Sequence, residues 1–142
     1  MVLHLYDKNL DGVFNLNSVE FNELILTDEA ISNILDFAKT HHPNEFVALL
    51  GGTVDNKKLK IHDASFKLSK ASELKIDLPF LTNIVGSVHS HPGSTVAPSK
   101  EDLEVFDRRG GIHFIVSYPF NAVNIRAYNC VGKEIKFKLR KK

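Results

Sequence analysis

The sequence predicts an α/β (α+β) fold in which one mixed β-sheet is flanked by two main helices. Three observations support this class: a helical pattern near the start, a continuously apolar strand-like run, and three strand-like segments near the end. A chain of 142 residues with 43% hydrophobic content can bury one ordinary core. We therefore expect a single domain over residues 1–142, with residues 1–26 forming one or two strands or a partner-binding arm.

The first helix is predicted to begin after Thr27, a residue type that caps helix N-termini. Asp28 and Glu29 suit its first turn because acidic side chains favour the positive end of the helix dipole. Pro43 disfavours helical angles in the residue before it, so the helix should end near residues 41–42. Between these limits the apolar residues recur at helical spacing, at Ile31, Ile34, Leu35 and Ala38.

The remaining elements follow from apolar runs and turn residues. Residues 46–50 are continuously apolar, which predicts a central strand covered on both faces. Asp55-Asn56 predicts a hairpin into a strand at 59–62, and Gly110-Gly111 marks the end of a second helix at 99–109. Further predicted elements are a short helix at 79–82 and strands at 84–88, 112–118, 122–130 and 134–139.

Residues 89–102 contain the one pattern that indicates a chemistry. If residues 84–88 are a strand, His89 and His91 leave the same face of the sheet. Pro92 should end that strand, and Ser99 and Asp102 would share one face of the helix that follows. Two imidazoles and one carboxylate with an open fourth position are the arrangement of a catalytic zinc site.

A structural interpretation of the same residues exists. Ser99 and Asp102 also fit a capping box, which needs no metal. A His-x-His pair on a strand is likewise often structural. The combination of both histidines, the loop-forming Pro-Gly and the acid at a helix start favours the metal site.

These residues resemble the JAMM (MPN+) metalloprotease family. Its pattern consists of an upstream glutamate, the segment His-Ser-His-Pro, and a later Ser-x-x-Asp segment. Seven residues separate the second histidine from that serine, and here they are residues 92–98. Residues 43–51 resemble the family's Pro-x-Glu segment, with Glu45 at its glutamate. The resemblance spans about residues 28–130, and the short separation of Glu45 from His89 suits a minimal prokaryotic or archaeal type.

The resemblance implies a single MPN-like (cytidine-deaminase-like) domain that holds one Zn2+ per chain. His89, His91 and Asp102 would bind the zinc ion. Glu45 would take a proton from the attacking water and pass it to the leaving amine, and Ser99 would hydrogen-bond the oxyanion.

The implied activity is hydrolysis of amide or isopeptide bonds, with a ubiquitin-like protein conjugate or a peptide as substrate. The bond cleaved would lie at the C-terminal tail of the ubiquitin-like modifier. Two alternatives stay open: a non-catalytic MPN scaffold or dimerisation module, and a metallohydrolase acting on a carrier-protein conjugate or a small-molecule amide. The resemblance is also compatible with a homodimer.

Neighbouring polar residues have lesser expected roles. Metal-bound imidazoles usually give their second N–H to a nearby oxygen, so we expect Ser90 and Ser94 to act as such partners. His113 is expected to be a surface or interior histidine and not a ligand.

Composition limits the other function classes. Lys plus Arg is 18 against 17 for Asp plus Glu, which predicts neither nucleic acid nor an anionic membrane as partner. The one cysteine, Cys130, excludes an internal disulfide and a multi-thiolate zinc site. With no long apolar run and no basic leader, the expected location is cytoplasmic. Residues 136–140 alternate cationic and apolar residues, which predicts an exposed edge strand.

Overall fold

A computed structural model of the chain describes residues 2–5, 17–68, 84–93, 95–109 and 111–140. The helix predicted at 79–82 lies outside these residues. The described elements are β1 (Val2–Leu5), β2 (Asn17–Glu20), β3 (Glu23–Thr27), α1 (Asp28–His41), β4 (Val47–Asp55), β5 (Lys58–Leu68), β6 (Ile84–His91), α2 (Lys100–Arg109), β7 (Ile112–Ser117), β8 (Ile125–Tyr128), β9 (Glu134–Ile135) and β10 (Lys138–Arg140).

An eight-stranded mixed sheet organises the described residues, in the order β10-β3-β5-β4-β6-β7-β8-β9. The pairs β10–β3, β3–β5 and β6–β7 are parallel, and the other neighbours are antiparallel. Strands β9 and β10 lie at opposite edges, yet only Lys136 and Phe137 separate them in the chain. The sheet must therefore curl until one short link reaches both edges. The predicted fold class, with one mixed sheet and two helices, is confirmed.

Helix α1 begins and ends where its sequence signals predict. The Thr27 side chain accepts a hydrogen bond from the Ala30 N–H at 3.2 Å, and the helix ends at His41. Ala30, Ile31, Ile34 and Ala38 form its buried face, which packs on β3 and β5. This burial of one apolar stripe, and not helix propensity alone, stabilises the helix.

The central strands also match their patterns. Residues 47–52 of β4 are buried, as expected for a strand covered on both faces. Asn56 and Lys57 have φ angles of 49° and 59°, which suit the tight turn predicted between β4 and β5. Strand β6 is buried at each of its eight positions and lies between β4 and β7.

Two C-terminal predictions need correction. Residues 122–124 form a 3-10 turn instead of the start of a strand, and the Asn121 N–H bonds to Asn124 Oδ1 at 3.3 Å. The predicted strand 134–139 divides into β9 and β10, because its two halves pair with opposite edges of the sheet. Phe137, in the link between them, packs against Phe114 with ring centroids 5.2 Å apart. The prediction of an exposed edge strand is confirmed for β10.

Three described strands begin within residues 1–26, where one or two strands or an arm were expected. β1 and β2 pair antiparallel in a separate two-stranded sheet, whereas β3 joins the main sheet between β10 and β5. Within the described ranges, neither helix is long and apolar enough to cross a membrane.

Candidate metal centre

The C-terminal end of β6 and the first turn of α2 meet at one point. His89 and His91 leave the same face of β6 and are 2% and 8% exposed. Asp102, in the first turn of α2, is 8% exposed. Its Oδ2 lies 2.8 Å from His91 Nε2, and its Oδ1 lies 3.3 Å from His89 Nδ1. The structure thus brings together the three side chains that the sequence pattern selected as ligands.

Ser99 and Asp102 cap the start of α2 reciprocally. The Asp102 N–H donates to Ser99 Oγ at 3.0 Å, and the Ser99 N–H donates to Asp102 Oδ2 at 2.9 Å. The capping-box interpretation is therefore realised in the structure. It is compatible with a metal site, because the cap fixes the Asp102 carboxylate where it meets both imidazoles. Ser99 is exposed and uses its oxygen as an acceptor, so its hydroxyl proton can still be donated.

The electrostatics of the cluster favour an ionised Asp102. Burial acts to raise the pKa of Asp102, but hydrogen bonds with His89 and His91 and from the Ser99 backbone lower it far below its ordinary value. The N-terminus of α2 adds a positive partial charge at the same place. A carboxylate must be ionised to bind a metal, and this site supplies one.

The same contacts act on His91 in the opposite direction. The hydrogen bond with Asp102 raises the pKa of His91, although burial of the ring opposes this. The Thr95 carbonyl, 3.2 Å from His91 Nδ1, and the charge of Glu45 raise this pKa further. Because Nδ1 faces a carbonyl oxygen, it must carry a proton, which leaves Nε2 as the nitrogen that faces Asp102.

Glu45 lies two residues before β4, near this site. Val47 pairs with His89, and the Ser90 N–H donates to the Phe46 carbonyl at 3.0 Å. Continuing this antiparallel register places Glu45 opposite His91. Glu45 is exposed, and its charge contributes to the raised pKa of His91. The fourth and fifth candidate residues, Glu45 and Ser99, therefore both lie at the rim of the buried cluster.

The side chains that support the imidazoles differ from those expected. The Ser90 hydroxyl accepts the Phe46 N–H at 2.7 Å, so the expected contact from Ser90 to an imidazole is wrong. Ser94 lies outside the described residues. Ser87 takes this role instead, with its Oγ 2.9 Å from His89 Nε2. The signal was available in the sequence, because residues 87, 89 and 91 share one face of a strand.

The loop between β6 and α2 is anchored by two tyrosines. The Tyr118 N–H donates to the His91 carbonyl at 3.2 Å and to the Gly93 carbonyl at 3.0 Å. The Tyr128 hydroxyl donates to the Val96 carbonyl at 2.7 Å. Tyr118 is 49% exposed, and the His42 ring stacks on it at 4.8 Å. Tyr118 and His42 therefore pack together beside the end of β6, close to His91.

The donor set fits zinc by its chemistry, because two imidazoles and one carboxylate are ligands that catalytic zinc sites use. Donor atoms around a tetrahedral zinc ion lie about 3.3 Å apart, because each bond is about 2.0 Å long. The two imidazoles face different oxygens of Asp102, at 3.3 Å from His89 and 2.8 Å from His91, so the side chains would have to move apart to hold an ion. Among the described residues no group of His, Cys, Asp and Glu has the spacing of a preformed cage. Asp102 contacts each of the two imidazoles directly.

Comparison with known proteins agrees with the predicted resemblance. A family model described as prokaryotic homologs of the JAB domain matches residues 27–131. A protein of Haloferax volcanii named a probable metalloprotease is 29% identical over 117 residues, which cover 74% of this chain and 72% of that protein.

Solved structures show the same relationship. A JAB1/MPN domain protein from Archaeoglobus fulgidus is 34% identical, with a TM-score of 0.67 over 81% of this chain and 97% of that one. A structure described as a JAMM metalloprotease-like zinc site in the proteasome and signalosome is 32% identical, with a TM-score of 0.62 over 83% and 98% of the two chains. A protein from Desulfitobacterium hafniense, 20% identical with a TM-score of 0.59 over 84% and 94%, shares the fold. The MPN-like fold is thereby confirmed.

Proposed function

This chain belongs to the family of prokaryotic homologs of the JAB domain, and on that premise we propose that it is a zinc-dependent metalloprotease that hydrolyses amide or isopeptide bonds. The observation that carries the proposal is the convergence of His89, His91 and Asp102 at the end of β6, with Glu45 at the rim of the same cluster. The metalloprotease name of the Haloferax relative supports the reaction class.

Two imidazoles and one ionised carboxylate would hold the zinc ion and leave a position open. When bound, zinc supplies Lewis-acid activation of water and of a carbonyl at neutral pH. His91 is prepared for this role because the Thr95 carbonyl at 3.2 Å fixes its Nδ1 as the donor. Asp102 is prepared by the helix cap, which holds its carboxylate against both rings.

Glu45 would be the general base. This residue is exposed, and two supports for this role are its position two residues before the Val47–His89 pair and the effect of its charge on the pKa of His91. A carboxylate at this place can take a proton from the attacking water and return it to the leaving amine. Phe46 fixes the backbone next to Glu45, because its N–H and carbonyl both bond to Ser90, at 2.7 Å and 3.0 Å.

Ser99 would stabilise the negative charge that develops on the carbonyl oxygen. Its oxygen already accepts the Asp102 N–H at 3.0 Å, so the hydroxyl proton can be donated outward. A donor held in this way at the rim is preorganised, which is the property that makes oxyanion donors effective.

For the substrate we propose the C-terminal tail of a ubiquitin-like modifier joined to an amine. The resemblance to JAMM proteases supports this class. The rim also supports access by a macromolecule, because Glu45 is exposed and Tyr118 is 49% exposed. An extended tail without side chains could approach the carbonyl end of β6 along this rim.

The test is hydrolysis by the zinc-loaded chain of three probes: a ubiquitin-like protein joined to lysine, an unmodified peptide, and a carrier-protein conjugate. Glu45→Gln should lower kcat by at least about 100-fold and leave zinc binding intact. Glu29→Gln, at an exposed acid of α1, is the matched control and should be fully active. Cleavage of the carrier-protein conjugate alone would replace the proposed substrate. No cleavage of any probe by the zinc-loaded chain would favour the non-catalytic scaffold.

A further inference from the structure

A buried chain of hydrogen-bonded side chains extends from His89 away from Asp102. Ser87 Oγ lies 2.9 Å from His89 Nε2 and 2.6 Å from His113 Nδ1. All three residues are buried: His89 is 2% exposed, Ser87 is 1% exposed and His113 is 0% exposed. Buried polar groups at these distances form a specific network and not an incidental surface contact.

Phe106, which lies on α2, packs against these hydrogen-bonded side chains. Its ring stacks on His113 at 4.2 Å with an interplanar angle of 6°, and it meets the His89 ring edge-on at 5.3 Å. Phe106 lies four residues after Asp102, so the two side chains share one face of the helix. One face of α2 therefore supplies the Asp102 carboxylate and also packs Phe106 against the imidazole rings of His89 and His113.

The available protons determine which atom donates and which accepts in the hydrogen bonds of Ser87. A histidine nitrogen that binds a metal carries no proton, so the opposite nitrogen must carry one. For His89 that opposite nitrogen faces Ser87 Oγ, which must then accept. The Ser87 hydroxyl has a single proton, and His113 Nδ1 at 2.6 Å is placed to accept it.

We propose that Ser87 and His113 are positioning residues, which hold His89 in the tautomer and ring orientation that metal binding requires. The inference rests on the proposed function, because it assigns a partner to one of the three proposed ligands. A side chain that only filled the core at position 113 would need no acceptor nitrogen. In zinc sites generally, a group that hydrogen-bonds the nitrogen of a histidine ligand that does not bind the metal fixes the tautomer and orientation of the ring.

The experiment measures zinc affinity by chelator competition, together with the absorption spectrum of the Co2+-substituted protein. Ser87→Ala and His113→Phe should each weaken zinc binding by about 10-fold to 100-fold and alter the Co2+ spectrum. His113→Phe keeps an aromatic ring to stack on Phe106 and has no ring nitrogen. Ser87→Thr keeps the hydroxyl and should restore wild-type affinity.

Thr27→Val is the matched control. It removes a buried hydroxyl at the start of α1, where the contact is with the Ala30 N–H. Its zinc affinity should stay within about threefold of the wild-type value, since Thr27 contacts no proposed ligand. Circular dichroism of each variant checks that the chain is folded.

The outcomes separate this inference from the proposed function. A folded wild-type chain that binds no zinc would overturn both. Wild-type zinc binding, with the same affinity and Co2+ spectrum in Ser87→Ala and His113→Phe, would overturn only the positioning role. If either variant fails to fold, ¹⁵N NMR of the zinc-loaded wild type decides: a proton on His113 Nε2 supports the proposal, and one on Nδ1 overturns it.

Discussion

His91 Nε2 lies 2.8 Å from Asp102 Oδ2, which joins the last residue of β6 to the first turn of α2. Both side chains are buried, so the contact is weakly screened by water. Residues 92–99 separate the two elements in the chain, and this contact brings the elements together. The geometry of the proposed metal site and part of the stability of the chain therefore depend on the same pair.

This pair predicts a pH-dependent stability in the presence of a chelator. Folding lowers the pKa of Asp102 below its ordinary 3.8, so its contribution is present above about pH 4 and is lost as pH falls further. Folding raises the pKa of His91 above its ordinary 6.5, so its contribution is present below pH 6.5 and is lost as pH rises through the raised value. Urea unfolding in chelator should show the greatest contribution of the pair between these limits.

The comparison variant is Asp102→Asn, which removes the charge that shifts the pKa of His91. The difference in unfolding free energy between wild type and this variant should be largest between pH 4 and 6.5 and should shrink on either side. The contributions of other titrating groups, such as Glu23, to the unfolding free energy are the same in both proteins and cancel in this difference. A difference that stays constant from low to high pH would contradict the assignment.

Ser99→Ala should separate two roles of one hydroxyl. Loss of the helix cap should cost about 1 kcal/mol of stability, as measured by urea unfolding. Loss of the oxyanion donor should lower kcat by about 100-fold to 1,000-fold at a temperature where the variant is fully folded. Ser99→Thr keeps both the acceptor and the proton and should restore both quantities. A kcat loss under tenfold in Ser99→Ala would remove Ser99 from the mechanism.

Gly86 is predicted to be irreplaceable because β6 and β7 approach closely beside it. A Cβ atom built at Gly86 would lie 1.6 Å from the Ile112 carbonyl oxygen, a backbone atom that cannot move aside. Gly86→Ala should destabilise the chain by about 3 kcal/mol or more in urea unfolding. Gly93→Ala is the matched control, because a Cβ there meets nothing within 4 Å. Equal effects of the two substitutions would contradict the described packing.

Local patterns were sufficient to predict much of this fold. The Thr27 cap, the shared face of His89 and His91, and the reciprocal cap of Ser99 and Asp102 each depend on residues a few positions apart. Glu45 came from the resemblance, because its relation to His91 depends on strand pairing.

Interactions between distant residues were not predictable in the same way. The division of residues 134–139 depends on β10 pairing with β3 more than a hundred residues earlier. The Ser87–His113 contact crosses from β6 to β7, so no local pattern indicates it. The 3-10 turn at Ala122–Asn124 was missed because side-chain capping by Asn124 outweighed the strand-like apolar residues around it.

The central claim is that His89, His91 and Asp102 together hold one zinc ion, and elemental analysis after equilibrium dialysis against zinc tests it most directly. The wild-type chain should contain one zinc ion, and His91→Ala should contain less than about a tenth of one while remaining folded. A folded wild-type chain without zinc, or a His91→Ala chain that keeps its full zinc content, would contradict the claim.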